Sequence, residues 1–409
     1  MPRFWTPCAP ATPRPPPARP PPTCRTSTAR PSRRGASHDR PVPRRAQARA
    51  RRPPIHPARR SSAMTARIGI VGIGWWATFN HIPVIASSGV AEVVALCDLD
   101  DDRLKVAGEE FGIAARYTDL AAMLAAEALD GLVVSTPHVA HTAPAIAGLE
   151  AGCHVLVEKP MATSAADGRA IAAAAAKAGR EVLVPTGLNF EDYTATARRW
   201  VEEGRIGEVR HVVCQMGSPL HDLFAGEPME ETADHLFRPP PSTWADPARA
   251  GGYAWGQMSH SLAWMIHVSG LRLRSVYCAA GQSKTGVDFY DAATARATNG
   301  ATVVLSGAST VPKHKGMHTD VRIFGTEGVV VFDNERMRVE LWRMDGQDEA
   351  ATIADRPVYD GGLPTRVFAR LCAGEPVTNA SDAECGAEVT AAIHALYRSA
   401  ASGQPEEVE

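Results

Sequence analysis

The sequence predicts an α/β protein in which a doubly wound parallel sheet is followed by a second α/β domain with a mostly antiparallel sheet. Three observations predict it. Between Met64 and Thr186, short apolar runs alternate with helical segments, the pattern of a parallel sheet covered by helices. The turn Gly72-Ile73-Gly74-Trp75-Trp76-Ala77 joins the first apolar run to the first helical segment, and Asp98 stands 26 residues beyond Gly72. After Gly187 the runs lengthen and alternate, as strands with one buried face do.

In order, strands are expected at 68–71, 92–97, near Arg116, and at 131–135, 154–157 and 182–185. Helices are expected between them, at 76–87, 103–111, 120–126, 139–151 and 164–178. The second domain opens with a helix at 191–203 and the turn Gly204-Arg205-Ile206-Gly207. Strands follow at 211–216, 273–280, 301–306, 321–324, 329–332 and 339–342. Between the first two of these lie a loop containing Pro239-Pro240-Pro241 and a helix at 257–268, and a loop of that length inside a domain usually carries function. The chain thus divides into 1–63, a first domain at 64–186 and a second at 187–409.

Charge separates the first stretch from the rest. Residues 1–63 hold 15 Arg, no Lys, one acid and 16 of the 32 Pro, a net +14, so the total of -2 leaves -16 for the remainder. So much proline with so few aliphatic residues predicts disorder. The stretch shows neither an amphipathic transit helix nor the apolar segment of an export signal, and we expect translation to begin at Met64. The acidic remainder repels a phosphate backbone, so no nucleic-acid partner is expected. The eight cysteines form no C-x-x-C pair and read as free thiols in a reducing cytoplasm. No apolar run is long enough to span a membrane.

The glycine turn is the arrangement that holds a dinucleotide. Gly72 permits the tight turn, Gly74 has no Cβ to block a pyrophosphate, and Ala77 lets the helix lie close to the sheet. The helix N-terminus offers N–H groups to phosphate. Asp98 would accept hydrogen bonds from the ribose hydroxyls and repel a 2′-phosphate, favouring NAD over NADP. Arg103 is the counter-argument, able to reach a 2′-phosphate or stack on adenine. Trp75 and Trp76 either cover the cofactor or pack on the sheet. Thr136, Pro137, His141 and Glu158 fall at the carboxyl ends of strands, where the ligand of such a sheet sits. Lys159, directly after the strand 154–157, stands on the same side, where partial desolvation would lower its pKa.

These residues sit in a series of motifs: Gly72-x-Gly74-x-x-Ala77, Cys97-Asp98, Ser135-Thr136-Pro137-x-x-x-His141, Ala151-Gly152-Cys153-His154-Val155-Leu156-Val157-Glu158-Lys159-Pro160, Gly204-x-Ile206-Gly207, Gly325-Thr326-Glu327-Gly328 and Tyr397-Arg398-Ser399-Ala400-x-x-Gly403. In that order, from about Arg67 to the C-terminus, the series resembles the oxidoreductase family of glucose-fructose oxidoreductase, inositol dehydrogenase and MocA. The resemblance implies a Rossmann domain, then an α/β domain whose open sheet covers the active site and mediates assembly, here a homodimer or homotetramer. It also implies NAD or NADP, and a sugar, cyclitol or related hydroxyl or carbonyl substrate.

In that family the Glu-Lys-Pro lysine works with a histidine on a helix of the second domain, usually preceded one turn earlier by an aspartate. His260 takes the histidine position. The aspartate is missing: Gly256 and Gln257 stand four and three residues before His260. On an α-helix either faces the histidine, and Gln257 would orient its imidazole without supplying charge. The expected chemistry is therefore hydride transfer to or from a hydroxyl-bearing carbon, with His260 taking the hydroxyl proton and Lys159 holding the oxygen. Asn189 and Tyr253 are expected, with Gln257, to line the substrate pocket. The His138/His141 and His314/His318 pairs have zinc-compatible spacing, but no metal is expected. The missing aspartate motivates an alternative, a cofactor-binding regulatory protein with little turnover.

Overall fold

Runs of apolar residues buried on both faces become a parallel sheet, because each strand needs helices above and below it. The computed structural model describes residues 65–353 and 360–409; the Arg- and Pro-rich stretch 1–63 and the expected start at Met64 lie outside the described residues. The first sheet contains β1 (Ala66–Val71), β2 (Ala91–Cys97), β3 (Ala115–Tyr117), β4 (Gly131–Val134), β5 (His154–Val157) and β6 (Val182–Leu183). Its order is β3-β2-β1-β4-β5-β6, with every pairing parallel. The order reverses between β1 and β4, which opens a crevice at their carboxyl ends.

The connecting helices are α1 (Ile82–Ala86), α2 (Asp101–Phe111), α3 (Leu120–Ala126), α4 (Thr142–Glu150) and α5 (Ala165–Ala178). α2 begins two residues before the expected Arg103, because the Asp100 side chain accepts from the Arg103 N–H and caps it. Asp119 and Ser164 cap α3 and α5 in the same way. The segment Ala77–His81 ahead of α1 is a π-helical turn.

The second sheet has nine strands: β7 (Val209–Gly217), β8 (Leu273–Gln282), β9 (Asp288–Ala297), β10 (Thr302–Ala308), β11 (His318–Gly325), β12 (Gly328–Asp333), β13 (Arg338–Arg343), β14 (Glu349–Ala350) and β15 (Glu406–Glu407). They lie in the order β14-β13-β12-β11-β7-β10-β9-β8-β15, and only β7 and β10 pair in parallel. One face packs on α6 (Asp192–Glu202), α9 (Ser259–Ser269) and α11 (Ala383–Ser402), around Trp200, Trp264 and Phe332, and the short α7 (His221–Ala225) and α8 (Pro241–Trp244) stand between α6 and α9 in the chain. Tyr277, Tyr290 and Val304 stand exposed on β8, β9 and β10. Among the described residues no helix is long and apolar enough to cross a membrane.

The sequence reading contained no strand at β9, whose buried positions carry Asp288, Asp291 and three alanines in place of large apolar residues. It also contained no helix at α10 (Leu363–Cys372), whose Phe368 and Ala369 complete the core beneath Ile68 and Ile70 of β1. α11 lies against α5 as well as β8, so the C-terminal helices join both sheets.

Candidate active site

The crevice at the reversal point continues into a cavity of about 740 Å³ lined from both sheets' domains. Its first wall is the glycine turn. Gly72 has φ +86°, and a Cβ there would lie 2.5 Å from the Thr136 nitrogen, so both backbone angle and space require glycine. Nothing lies within 4 Å of a Cβ built on Gly74, which leaves the helix start open to a phosphate group. Asp98 fastens this turn to the end of β2: its carboxylate accepts from the Ile73 N–H at 2.6 Å and the Asp100 N–H at 3.0 Å. A carboxylate has further lone pairs, and these can take ribose hydroxyls. A turn open at Gly74 with an acid at the next strand end fits a dinucleotide.

Arg103 and the tryptophans are engaged from across the cleft. The Arg103 guanidinium lies 3.8 Å from Asp98 and 5.5 Å above the Phe237 ring. The Trp75 indole N–H donates to His235 Nδ1 at 2.7 Å, and Phe79 stacks on that imidazole at 4.1 Å. Trp75 therefore ties the glycine turn to a loop of the second domain. Trp76 contacts it edge-on and also lines the cavity. Nothing periodic connects residues 160 positions apart, so this bridge had no sequence signal.

Thr136, Pro137, His141 and Glu158 all line the cavity. His141 braces its floor, with Nδ1 2.8 Å from the Pro160 carbonyl and Nε2 2.8 Å from the Thr136 carbonyl. Burial lowers its pKa, so the neutral ring donates to only one of these acceptors. Glu158 accepts from the Lys159 N–H at 3.1 Å and faces His81 Nε2 at 3.0 Å, while His81 Nδ1 faces the Thr365 hydroxyl at 3.0 Å. Burial works to raise the Glu158 pKa, but His81 and Lys159 outweigh it and hold the carboxyl below its ordinary range.

Lys159 is half-buried, and its ammonium donates to the Gly256 carbonyl at 2.6 Å, 5.2 Å from the Trp244 ring centre. Burial pushes its pKa down to about 8 against the opposing charge of Glu158. His260 lines the same cavity. Burial first, and the Lys159 charge second, hold its pKa well below the ordinary histidine value. His138, whose Nδ1 lies 2.8 Å from the Ala250 carbonyl, is pushed down to about 3, chiefly by burial. Both imidazoles are neutral at pH 7.

The missing aspartate has a steric counterpart. A Cβ on Gly256 would lie 2.9 Å from the Phe224 ring and 3.1 Å from that of Trp244, so aromatic edges fill the place of a side chain. The segment Ala254–Met258 is π-helical, not α-helical as the spacing presumed. The Gln257 side chain lines the cavity, and its Oε1 accepts from Ser218 at 3.3 Å. Asn189 and Tyr253, expected at the substrate, do not line it. The Asn189 amide donates to the Ala263 and Ala380 carbonyls, and the Tyr253 hydroxyl to the Met216 carbonyl, because both are buried in the core.

Two residues absent from the sequence reading of the site hold this turn. Asp288 accepts from the Ala254 N–H at 2.7 Å and from the Tyr397 hydroxyl at 2.5 Å. Tyr397 belongs to the C-terminal motif, which was the only signal for it. Among the described residues no three His, Cys, Asp or Glu side chains group as metal ligands would.

Comparison with known proteins matches residues 66–186 to the model described as oxidoreductase family, NAD-binding Rossmann fold. Residues 194–331 match the GFO/IDH/MocA C-terminal domain. The chain is 27% identical over 366 residues to D-apiose dehydrogenase of Paraburkholderia graminis, covering 83% of this chain and 89% of that one. It is 30% identical over 196 residues to 1-carboxy-3-chloro-3,4-dihydroxycyclohexa-1,5-diene dehydrogenase of Comamonas testosteroni, covering 48% and 45%. Among solved structures, the WlbA dehydrogenase of Bordetella pertussis in complex with NADH and UDP-GlcNAcA shares the fold, with TM-score 0.65, 24% identity and coverage of 85% and 99%.

Proposed function

Since the chain belongs to the GFO/IDH/MocA family of NAD-binding oxidoreductases and is a dehydrogenase acting on CH–OH groups, we propose that it oxidises a secondary alcohol of a sugar, cyclitol or related small molecule at the Lys159–His260 end of the cavity. The carrying observation is the Lys159 ammonium, half-buried and bonded to the Gly256 carbonyl at 2.6 Å, in one cavity with His260 and the Gly72–Gly74 turn. The relatives' names speak of D-apiose and of a dihydroxylated cyclohexadiene. We assign NAD in preference to NADP because Asp98, at the end of β2 beside the glycine turn, would accept ribose hydroxyls and repel a 2′-phosphate.

Bound NAD+ supplies the hydride acceptor at its nicotinamide C4. The chain's own residues handle the proton. A neutral Lys159 amine accepts the hydroxyl proton as the carbon–hydrogen bond breaks, and its pKa of about 8 leaves a useful neutral fraction near pH 7. His260, held neutral, hydrogen-bonds the same oxygen and orients it. These roles are the reverse of those expected from the sequence, because burial beside an ammonium makes the imidazole the poorer proton acceptor. In the reducing direction the Lys159 ammonium returns the proton. Glu158, held ionised and fixed by His81 and Thr365, keeps Lys159 from falling further in pKa.

The test is a panel of secondary alcohols with NAD+ and NADP+ in parallel, read by nicotinamide absorbance. NAD+-dependent turnover that falls at least about 100-fold in both Lys159→Ala and His260→Ala supports the assignment. Turnover unchanged in both overturns it. Glycine at 256 and glutamine at 257, where the family usually carries an aspartate, favour one second reading, a regulatory NAD(H)-binding protein, which predicts NADH binding without turnover of any alcohol. We further place the protein in the cytoplasm, in keeping with the free described cysteines. We assign it a homodimer or homotetramer through the open sheet face bearing Tyr277, Tyr290 and Val304, which light scattering on the purified chain tests.

A further inference from the structure

Trp244 closes α8 and is fixed from several sides. Its carbonyl accepts from the Gly252 N–H at 3.0 Å. Its ring meets the His138 imidazole edge-on at 4.8 Å and the Phe224 ring at 6.2 Å. The Lys159 ammonium lies over its face, 5.2 Å from the ring centre, while donating to the Gly256 carbonyl at 2.6 Å. Lys159, Trp244 and His260 line one cavity. Any Cβ at Gly256 would lie 3.1 Å from the Trp244 ring and 2.9 Å from that of Phe224, so ring and carboxylate compete for one space.

From this arrangement we propose that Trp244 is a positioning residue that holds the Lys159 ammonium by a cation–π contact, in the place the family usually gives to an aspartate. The proposal rests on the dehydrogenase reading above and names what replaces the missing charge. The other groups facing Lys159 leave room for such a partner. Glu158 supplies the opposite charge but shares its carboxylate with His81. His138, His141 and His260 all have lowered pKa values, chiefly from burial, so none adds charge near pH 7. An indole face attracts a cation through its quadrupole, and more strongly where water is scarce. As the hydroxyl proton reaches Lys159 Nζ and the hydride leaves for the nicotinamide, positive charge grows on the amine, and the ring stabilises it there.

Removing the ring has two consequences of opposite sign. Loss of the cation–π contact lowers the Lys159 pKa, whereas water admitted to a desolvated amine raises it. The test is trace acetylation of Lys159 across a range of pH on the full chain, read by peptide mass spectrometry, which needs no turnover. Wild type should inflect near pH 8. In Trp244→Leu the inflection should fall by about 0.4 unit or more, and in Trp244→Phe, which keeps a ring, by less than half as much. The inflection in kcat/KM for oxidation should move with it. A smaller fall or a rise in Trp244→Leu, or a fall in Trp244→Phe at least half as large, overturns the proposal. Trp244→Met replaces the leucine variant if that does not fold, with the same expected fall. If no alcohol is turned over, the dehydrogenase reading fails and the labelling decides the proposal alone.

Discussion

Alanine at Gly72 and alanine at Gly74 separate the strain of the turn from the room it leaves for a pyrophosphate. At Gly72 the backbone has φ +86°, and the added Cβ would meet the Thr136 nitrogen at 2.5 Å and the Ser135 carbonyl carbon at 2.6 Å. Both are backbone atoms, so no side-chain rotation relieves the contact. The left-handed angle costs about 1–3 kcal/mol and the overpacking a similar amount, a loss of about 2–5 kcal/mol. For a chain of this size that lowers Tm by roughly 5–15 °C. At Gly74 the Cβ meets nothing within 4 Å, so the apo protein should melt within about 1 °C of wild type. The methyl group instead stands where phosphate approaches the helix N-terminus, and losing one charge-assisted hydrogen bond weakens NADH binding about tenfold or more. Thermal melting and a fluorescence titration with NADH read the two effects. A Gly72→Ala variant that melts with wild type, or a Gly74→Ala variant that binds NADH as tightly as wild type, refutes this account of the turn.

Three further outcomes are expected. Gly256→Asp puts a carboxylate near Lys159, and the attraction of two charges at contact distance raises the Lys159 pKa by about one unit or more, so the rise of oxidation rate with pH moves upward and activity at pH 7 falls about tenfold; an unmoved profile in the folded variant contradicts the placement. Tyr397→Phe removes a donor to Asp288 and should lower Tm by roughly 2–6 °C, the loss of about 1–2 kcal/mol, with a larger fall in kcat than rise in KM because the turn carrying Gly256 and His260 loosens. His235→Ala frees Trp75 and Phe79 from the second-domain loop, and stopped-flow displacement should show NADH leaving several-fold faster; an unchanged off-rate would show that the loop does not restrain the cofactor.

The first sheet was legible because its strands are apolar on both faces and are punctuated by Gly72, Asp98 and Thr136-Pro137, so expected and observed strands agree to within two residues. The second sheet was less so. β9 hides its pattern behind small alanines and inward acids, and α10 leaves the second half of the chain to finish the core of the first sheet, a long-range contact that no local period encodes. Lys159 could be placed by its position at a strand end, whereas its pairing with His260 came from the order of family motifs. At Gln257 the backbone departs from the α-helix that spacing presumed, since Ala254–Met258 is π-helical, and Gln257 and His260 line one cavity. Asn189 and Tyr253 illustrate the common outcome for polar residues near a site, in which burial turns them to internal hydrogen bonds.

The claim on which the chemistry depends is that Lys159, and not His260, is the proton acceptor, and the pH dependence of kcat/KM for oxidation tests it most directly. Because the Lys159 pKa is lowered to about 8, its neutral form grows as pH rises, so the rate should climb about tenfold per pH unit below the inflection, bend near pH 8 and level off about one unit above it. The climb should disappear in Lys159→Ala, whereas His260→Asn should lower the plateau and leave the inflection in place. An inflection that survives in Lys159→Ala and vanishes in His260→Asn would contradict the account and return the base to the histidine.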